Sequence, residues 1–337
     1  MNEREAIARL KRIATSDAAR GLLDDAALLG DLIITHDSIA QEVHYLADDP
    51  PESVGWKLAA VNASDLAAKG AEPLAALLSL TLAGDVDWET RFLDGLEAAL
   101  AEFGLKLIGG DTIALPQGAP RVLGLTAIGR AGPRTPSRAG GQAGDRLWIV
   151  GTLGDSAAGL AQLREDRAAS GPLVEAYRSP RPLLAVGRAL APHANAMMDV
   201  SDGLLLDVSR LASASDVSAH IDLAALPLYD AFIANRGEDH LFAATGGDDY
   251  ALLVALTGNV DPFTLSLPSG TTVTAIGRLT EGAGLSLTDG DTPVPVPERL
   301  GHEHHGHQYP PVDRRPARAG VGHGDRGPAA LTATEAP

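Results

Sequence analysis

The stretch from Pro50-Pro51 through Val54, Leu58, Val61 and Asp65 to Gly70 constrains the fold more than any other part of the chain. Paired prolines preset the first helical turn, and Gly70 with Pro73 supplies a stop, so the spacing predicts a helix over 52–69. At about 100° per residue Val54, Leu58 and Val61 share one face, and Asp65 falls in the same stripe. A carboxylate in an apolar stripe is costly unless it is paired or bound to a cation. At the stripe's edge it could instead meet solvent, and the helix alone leaves both readings open.

Asp65 has company. Asp24, Asp25, Asp37, Asp111, Asp199 and Asp202 all fall at predicted element ends or turns, beside Gly, Ser or Thr. Taken singly, each fits a turn or a helix cap, because Asp favours those places. Their recurrence in a chain with no GxxxxGK[ST] loop points to phosphate chemistry through magnesium held between carboxylates and phosphates. The formal net charge of −17 argues against a nucleic-acid partner but not against phosphates carried with magnesium. With no cysteine, thiolate metal sites and cysteine nucleophiles are excluded. No apolar run is long enough to span a bilayer and the polar start lacks a signal-peptide core, so a cytoplasmic, membrane-free location is expected.

The 337 residues suffice for two α/β domains. In the first, taken as 1–135, a helix over 3–15 precedes a strand over 32–35 whose end delivers His36-Asp37-Ser38. A strand over 74–81, a helix over 87–103 and a strand over 105–108 follow, the last leading into a Gly109-Gly110-Asp111-Thr112 turn. There two glycines let backbone N–H groups approach a phosphate, and Asp111 can hold its metal. A strand over 122–128 completes the domain. The Gly, Pro, Ser and Arg-rich segment 132–144 marks the boundary, and Arg138 within it reads as solvated. The second domain, 136–300, opens with a strand over 146–150, a Gly151–Gly154 turn and a helix. Ser201-Asp202-Gly203 opens a helix whose apolar positions are Leu204, Leu205, Val208 and Leu211, with Ser201 a cap compatible with an anion site. Gly246-Gly247-Asp248-Asp249-Tyr250 precedes a strand over 251–256. Val61–Asp65 and Met198–Asp202 share a faint echo, too short to establish a repeat. Lys57 and Lys69 read as solvated helix lysines. Residues 301–337 form a polar tail expected to be disordered. Its GxGxxG (Gly322, Gly324, Gly327) follows no strand, and its histidines at 302, 304, 305 and 307 lack the fixed geometry of a metal site.

The segment from Gly55-Trp56-Lys57 through Pro73, with Asp24-Asp25-Ala-Ala, Val43-His44-Tyr45, Ile108-Gly-Gly-Asp-Thr112, Gly151–Gly159, Asp199–Leu204 and Gly246–Tyr250 in order, resembles the thiamine-monophosphate kinases of the aminoimidazole-ribonucleotide-synthetase-like superfamily. The match covers roughly 20–305. It implies an α/β (α+β) protein of two domains with mixed sheets, dimerising through the N-terminal domain, with ATP and thiamine monophosphate between the domains. It further implies several Mg2+ ions on Asp25, Thr35, Asp37, Asp65, Asp111, Asp199 and Asp202. ATP would meet Gly110, Asp111, Arg138 and Ser201; the acceptor would meet His44, Asp248 and His302. No general base is assigned, because a phosphate monoester is largely deprotonated at neutral pH. The chain departs from the family at Leu23, His36, Asp248 (usually Glu) and the 301–305 segment. Rival readings are a selenophosphate synthetase, an aminoimidazole ribonucleotide synthetase, a hydrogenase-maturation protein or a non-catalytic nucleotide-binding relative; lack of cysteine disfavours those that need one.

Overall fold

The computed structural model describes residues 3–303; the tail from 304 onward, with His304, His305, His307 and the GxGxxG match, lies outside the described residues. A short helix α1 (Glu3–Leu10), ending earlier than the expected residue 15, leads into a five-stranded sheet. Its strands are β1 (Ala27–Leu29), β2 (Leu32–Ala40), β3 (Glu72–Leu82), β4 (Lys106–Ala114) and β5 (Val122–Arg130), in the order β1-β2-β5-β3-β4. All neighbours are antiparallel except β3 and β4, which are joined through the crossover helix α3 (Val86–Phe103). Helix α2 (Pro51–Ala68) packs along α3 and against β2 and β5.

The second sheet has seven strands: β6 (Arg146–Val150), β7 (Ala196–Val200), β8 (Ser218–Asp222), β9 (Ala251–Leu256), β10 (Val273–Thr280), β11 (Gly284–Asp289) and β12 (Thr292–Val294). Their order is β12-β11-β8-β10-β6-β9-β7, with β8 and β11 the parallel pair. Between them run α4 (Asp155–Glu165), α5 (Pro172–Arg178), α6 (Leu184–Leu190), α7 (Leu204–Ala214), α8 (Asp230–Arg236) and α9 (His240–Thr245). One sheet face packs with Leu204, Val208, Phe232 and Ala243, the other with Val186 and Leu190. Every residue of β9 is buried, as its uninterrupted apolar sequence requires.

Three expectations need correction. The stripe on α2 is not a stripe: 15 of its 18 residues are buried, because the N-terminal core holds Leu58 and Val61 while Ala67 and Ala68 join Trp148 and Val150 of the second half. Asp65 therefore does not meet solvent at a helix edge. Lys57 and Lys69 are buried rather than solvated. Strands β2 and β4 also run on past their expected ends. His36-Asp37-Ser38 thus sits inside β2, and Gly109–Thr112 is a strand segment, not a turn. A Cβ at Gly110, where φ is +153°, would lie 2.0 Å from the carbonyl oxygen of Leu78. Close packing of β4 on β3 is thus one reason for glycine there.

Candidate active site

Helix α2 distributes its polar side chains to two places at the junction of the halves. At its C-terminal end, carboxylate oxygens of Asp25, Asp65 and Asp199 all lie within 4.8 Å of one another. Asp25 comes from the loop before β1, Asp65 from α2 and Asp199 from β7, so the cluster forms only when both sheets dock on the helix. Thr35 of β2 donates its hydroxyl to Asp65, and Ser64 donates to Asp199 at 2.6 Å. Asn62 accepts the backbone N–H of Asp37 at 2.9 Å, fixing that stretch of β2 against the helix.

Charge is unevenly balanced there. Lys69 Nζ reaches Asp24 at 2.5 Å and Asp25 at 2.6 Å, Arg138 also grips Asp25, and Arg20 holds Asp24. Burial would push the Asp25 carboxyl up, but Lys69 and Arg138 outweigh it and hold it below the ordinary carboxylate range. No ion pair to Asp37, Asp65 or Asp199 occurs among the described residues. Burial, reinforced by Asp37, Asp199 and Asp25, pushes Asp65 well above the ordinary range. Burial, with Asp25 adding to it, takes Asp199 up to about 7. Two buried carboxylates with no ion-pair partner among the described residues, Asp65 and Asp199, with hydroxyl and carboxylate oxygens as donors and no sulfur or imidazole among them, fit a hard oxygen-seeking cation such as Mg2+.

A cleft of about 410 Å³ opens beside the cluster. Asp37, His44 and Val61 line it from one half, and Ser201, Asp202, Asp248, Tyr250 and His302 from the other. The Ser201–Gly203 turn is shaped by buried Asp207, whose Oδ2 accepts three successive N–H groups at 3.1, 3.1 and 3.2 Å. Arg210 bridges Asp207 and Asp202. His44 Nδ1 accepts the Ala40 N–H at 3.0 Å, so the neutral ring carries its proton on Nε2. Asp248 pairs with Lys57 at 2.8 Å; burial alone would raise it, but Lys57 holds its carboxyl below the ordinary range.

Of the residues the sequence nominated, Asp25, Thr35, Asp37, Asp65, Asp199, Asp202, Arg138, Ser201, His44, Asp248 and His302 are brought to the cluster or the cleft. Gly110 and Asp111 are not. Asp111 pairs with Ser79, Ser79 with Gly124, and Gly124 with Ser38, placing it three strands, roughly 14 Å, from β2. Sequence reasoning missed Lys57, Lys69, Asp207 and Arg210. Only Asp207 carried a usable signal, as a charged residue inside an apolar run of Leu204, Leu205, Leu206 and Val208.

Two mixed sheets meeting on a shared helix, with a carboxylate cluster at their junction, define the class. Residues 23–131 match the family model "AIR synthase related protein, N-terminal domain" and 142–290 its C-terminal counterpart. The thiamine-monophosphate kinase of Caulobacter vibrioides is 38% identical over 317 residues, covering 88% of this chain and 89% of its own. That of Escherichia coli K12 is 38% identical, covering 72% and 77%. The solved structure "AaThiL complexed with AMPPCP and TMP" superposes with a TM-score of 0.79 at 31% identity, over 90% of this chain and 97% of that one. The Aquifex aeolicus thiamine monophosphate kinase gives 0.75 at 29%, over 87% and 99%. The chain belongs to the thiamine-monophosphate kinase family, and it is a phosphotransferase.

Proposed function

We propose that this enzyme transfers the terminal phosphoryl group of ATP directly to thiamine monophosphate, forming thiamine diphosphate and ADP. The observation that carries the reading is the cluster of Asp25, Asp65 and Asp199 beside a cleft between the halves, in a chain that superposes on a relative named with an ATP analogue and TMP. Asp25, Thr35, Asp37, Asp65, Asp199 and Asp202 would hold Mg2+, which when bound neutralises phosphate charge and stabilises the transferring group. Ser201 and Arg138 would face ATP; His44, Asp248 and His302 would face the acceptor. The acceptor phosphate has a second pKa near ~6, so its oxygen attacks without a base, and no side chain is assigned that role. What the residues supply is alignment of two polyanions that would otherwise repel.

We further infer a homodimer joined through the N-terminal sheet. All nine residues of β4 are exposed, Leu107, Ile108 and Ile113 among them, on an unpaired sheet edge. Such a dimer would let Gly110 and Asp111 serve the partner's cleft rather than their own.

The test is turnover with thiamine monophosphate as sole acceptor, in wild type and in D65N. Wild type should release ADP and thiamine diphosphate together. D65N, which keeps the shape but removes a carboxylate that would hold the cation, should lose at least about 100-fold in kcat while keeping its thermal midpoint. Absence of thiamine diphosphate from the wild-type reaction would reject the assignment.

A further inference from the structure

Lys57 projects from α2 into the wall of the cleft and is 2% exposed. Its Nζ donates to the carbonyl oxygen of His44 at 3.0 Å and to Asp248 Oδ2 at 2.8 Å. The ammonium also rests 4.1 Å from the centre of the Tyr177 ring. The second oxygen of Asp248 accepts from the Tyr250 hydroxyl at 2.9 Å, so both carboxylate oxygens are held. The backbone around them is strained: φ is +68° at Asp248 and +53° at Tyr250, both non-glycine residues. Hydrogen bonds from Asp248 N–H to Ser201 O at 2.7 Å and from Tyr250 N–H to Val200 O at 2.8 Å hold that shape. A strained segment persists only where its surroundings over-determine it, and such segments concentrate at ligand clamps.

Burying an ammonium is expensive, and an apolar side chain of similar volume would often serve stability as well or better. The cost makes sense where the charge fixes a geometry. His44 belongs to the N-terminal half and Asp248 to the C-terminal half, and one nitrogen atom ties both. We infer that Lys57 is a positioning residue for the phosphate acceptor: it sets the separation of His44 and Asp248 across the cleft and keeps the acceptor site formed before substrate arrives. This rests on the reading that His44 and Asp248 face thiamine monophosphate. It extends that reading to a residue that does not line the cleft but holds two that do.

The experiment measures KM for each substrate separately in wild type, K57M, D248N and the K57M/D248N double variant, with thermal midpoints to confirm folding. In K57M the KM for thiamine monophosphate should rise about 10-fold or more, with the KM for ATP within about 2-fold of wild type. Because Lys57 acts through Asp248, the double variant should be no worse than the worse single one. Should K57M fail to fold, K57Q, which removes the ammonium held between Asp248 and the His44 carbonyl while keeping a polar side chain, takes its place with the same expectation. An unchanged KM for thiamine monophosphate, equal rises for both substrates, or multiplying effects in the double variant would overturn the inference about Lys57 alone. A wild-type protein that makes no thiamine diphosphate would overturn it together with the reading beneath it.

Discussion

Burial takes the Asp199 carboxyl up to about 7 and pushes Asp65 well above its ordinary range, so without a divalent cation the fold favours their protonated forms. The sign follows from linkage. A carboxyl whose folded pKa is raised contributes stability that is fully present below its unfolded value, near 3.8, and is lost as pH rises through the folded value. Cation-free protein should therefore melt at a lower temperature at about pH 8 than at about pH 5.5. Added Mg2+ should raise the midpoint more at the higher pH, where the carboxylates need not release a proton to bind it. Scanning fluorimetry at both pH values, with and without MgCl2, checks this; a magnesium shift as large at the lower pH would remove Asp65 and Asp199 from the binding set. At this scale the sequence was readable for acids and nearly silent for bases. Seven aspartates stood out by their neighbours, whereas Lys57 and Lys69 look like any helix lysine until the second half of the chain closes over them. Their partners, Asp248 and Asp24, lie 191 and 45 residues away, a separation no local pattern reports.

At the scale of elements, α2 and α3 approach closely enough that two glycines become spacers. A Cβ on Gly55 would lie 2.1 Å from the Phe92 carbonyl oxygen, and one on Gly95 2.0 Å from the Glu52 carbonyl oxygen. Helix propensity alone favours alanine at Gly95 by ~1 kcal/mol, while overpacking backbone against backbone costs ~1–3 kcal/mol or more. The second effect should win, so G95A should lower stability by roughly 1–2 kcal/mol in urea denaturation, and a stabilised G95A would show that the helices can separate freely. Since α2 carries Lys57, Asn62, Ser64 and Asp65, activity should fall as well. Helices and buried strands were legible here: the span over 52–69 became Pro51–Ala68, and 251–256 matched β9 to the residue. The ends of β2 and β4 were not, because His36-Asp37-Ser38 and Gly109-Gly110-Asp111 read as turns by composition while ladder pairing with β5 and β3 keeps them extended. The Val61–Asp65 echo with Met198–Asp202 likewise joins a helix to a strand end and is no repeat.

At the scale of the whole molecule, the N-terminal sheet ends on the exposed strand β4. Asp111 belongs to the sequence signature yet stands three strands from its own cluster, on an edge strand exposed along its full length. A C2 dimer formed along that edge would carry Asp111 of each copy toward the cleft of the other. The arrangement makes a sharp prediction. D65N and D111N should each be inactive as homodimers. In a mixed dimer one site takes both substitutions and the other takes neither, so subunit exchange between the two inactive proteins should restore activity. With random exchange half the dimers are mixed and half their sites intact, giving about a quarter of wild-type turnover. If Asp111 served the cleft of its own chain, every site in the mixed dimer would carry one lesion and no activity would return. Replacing exposed Leu107 with lysine should then both dissociate such a dimer in sedimentation velocity and abolish the recovery, since a charge on that edge would disfavour strand-to-strand contact there.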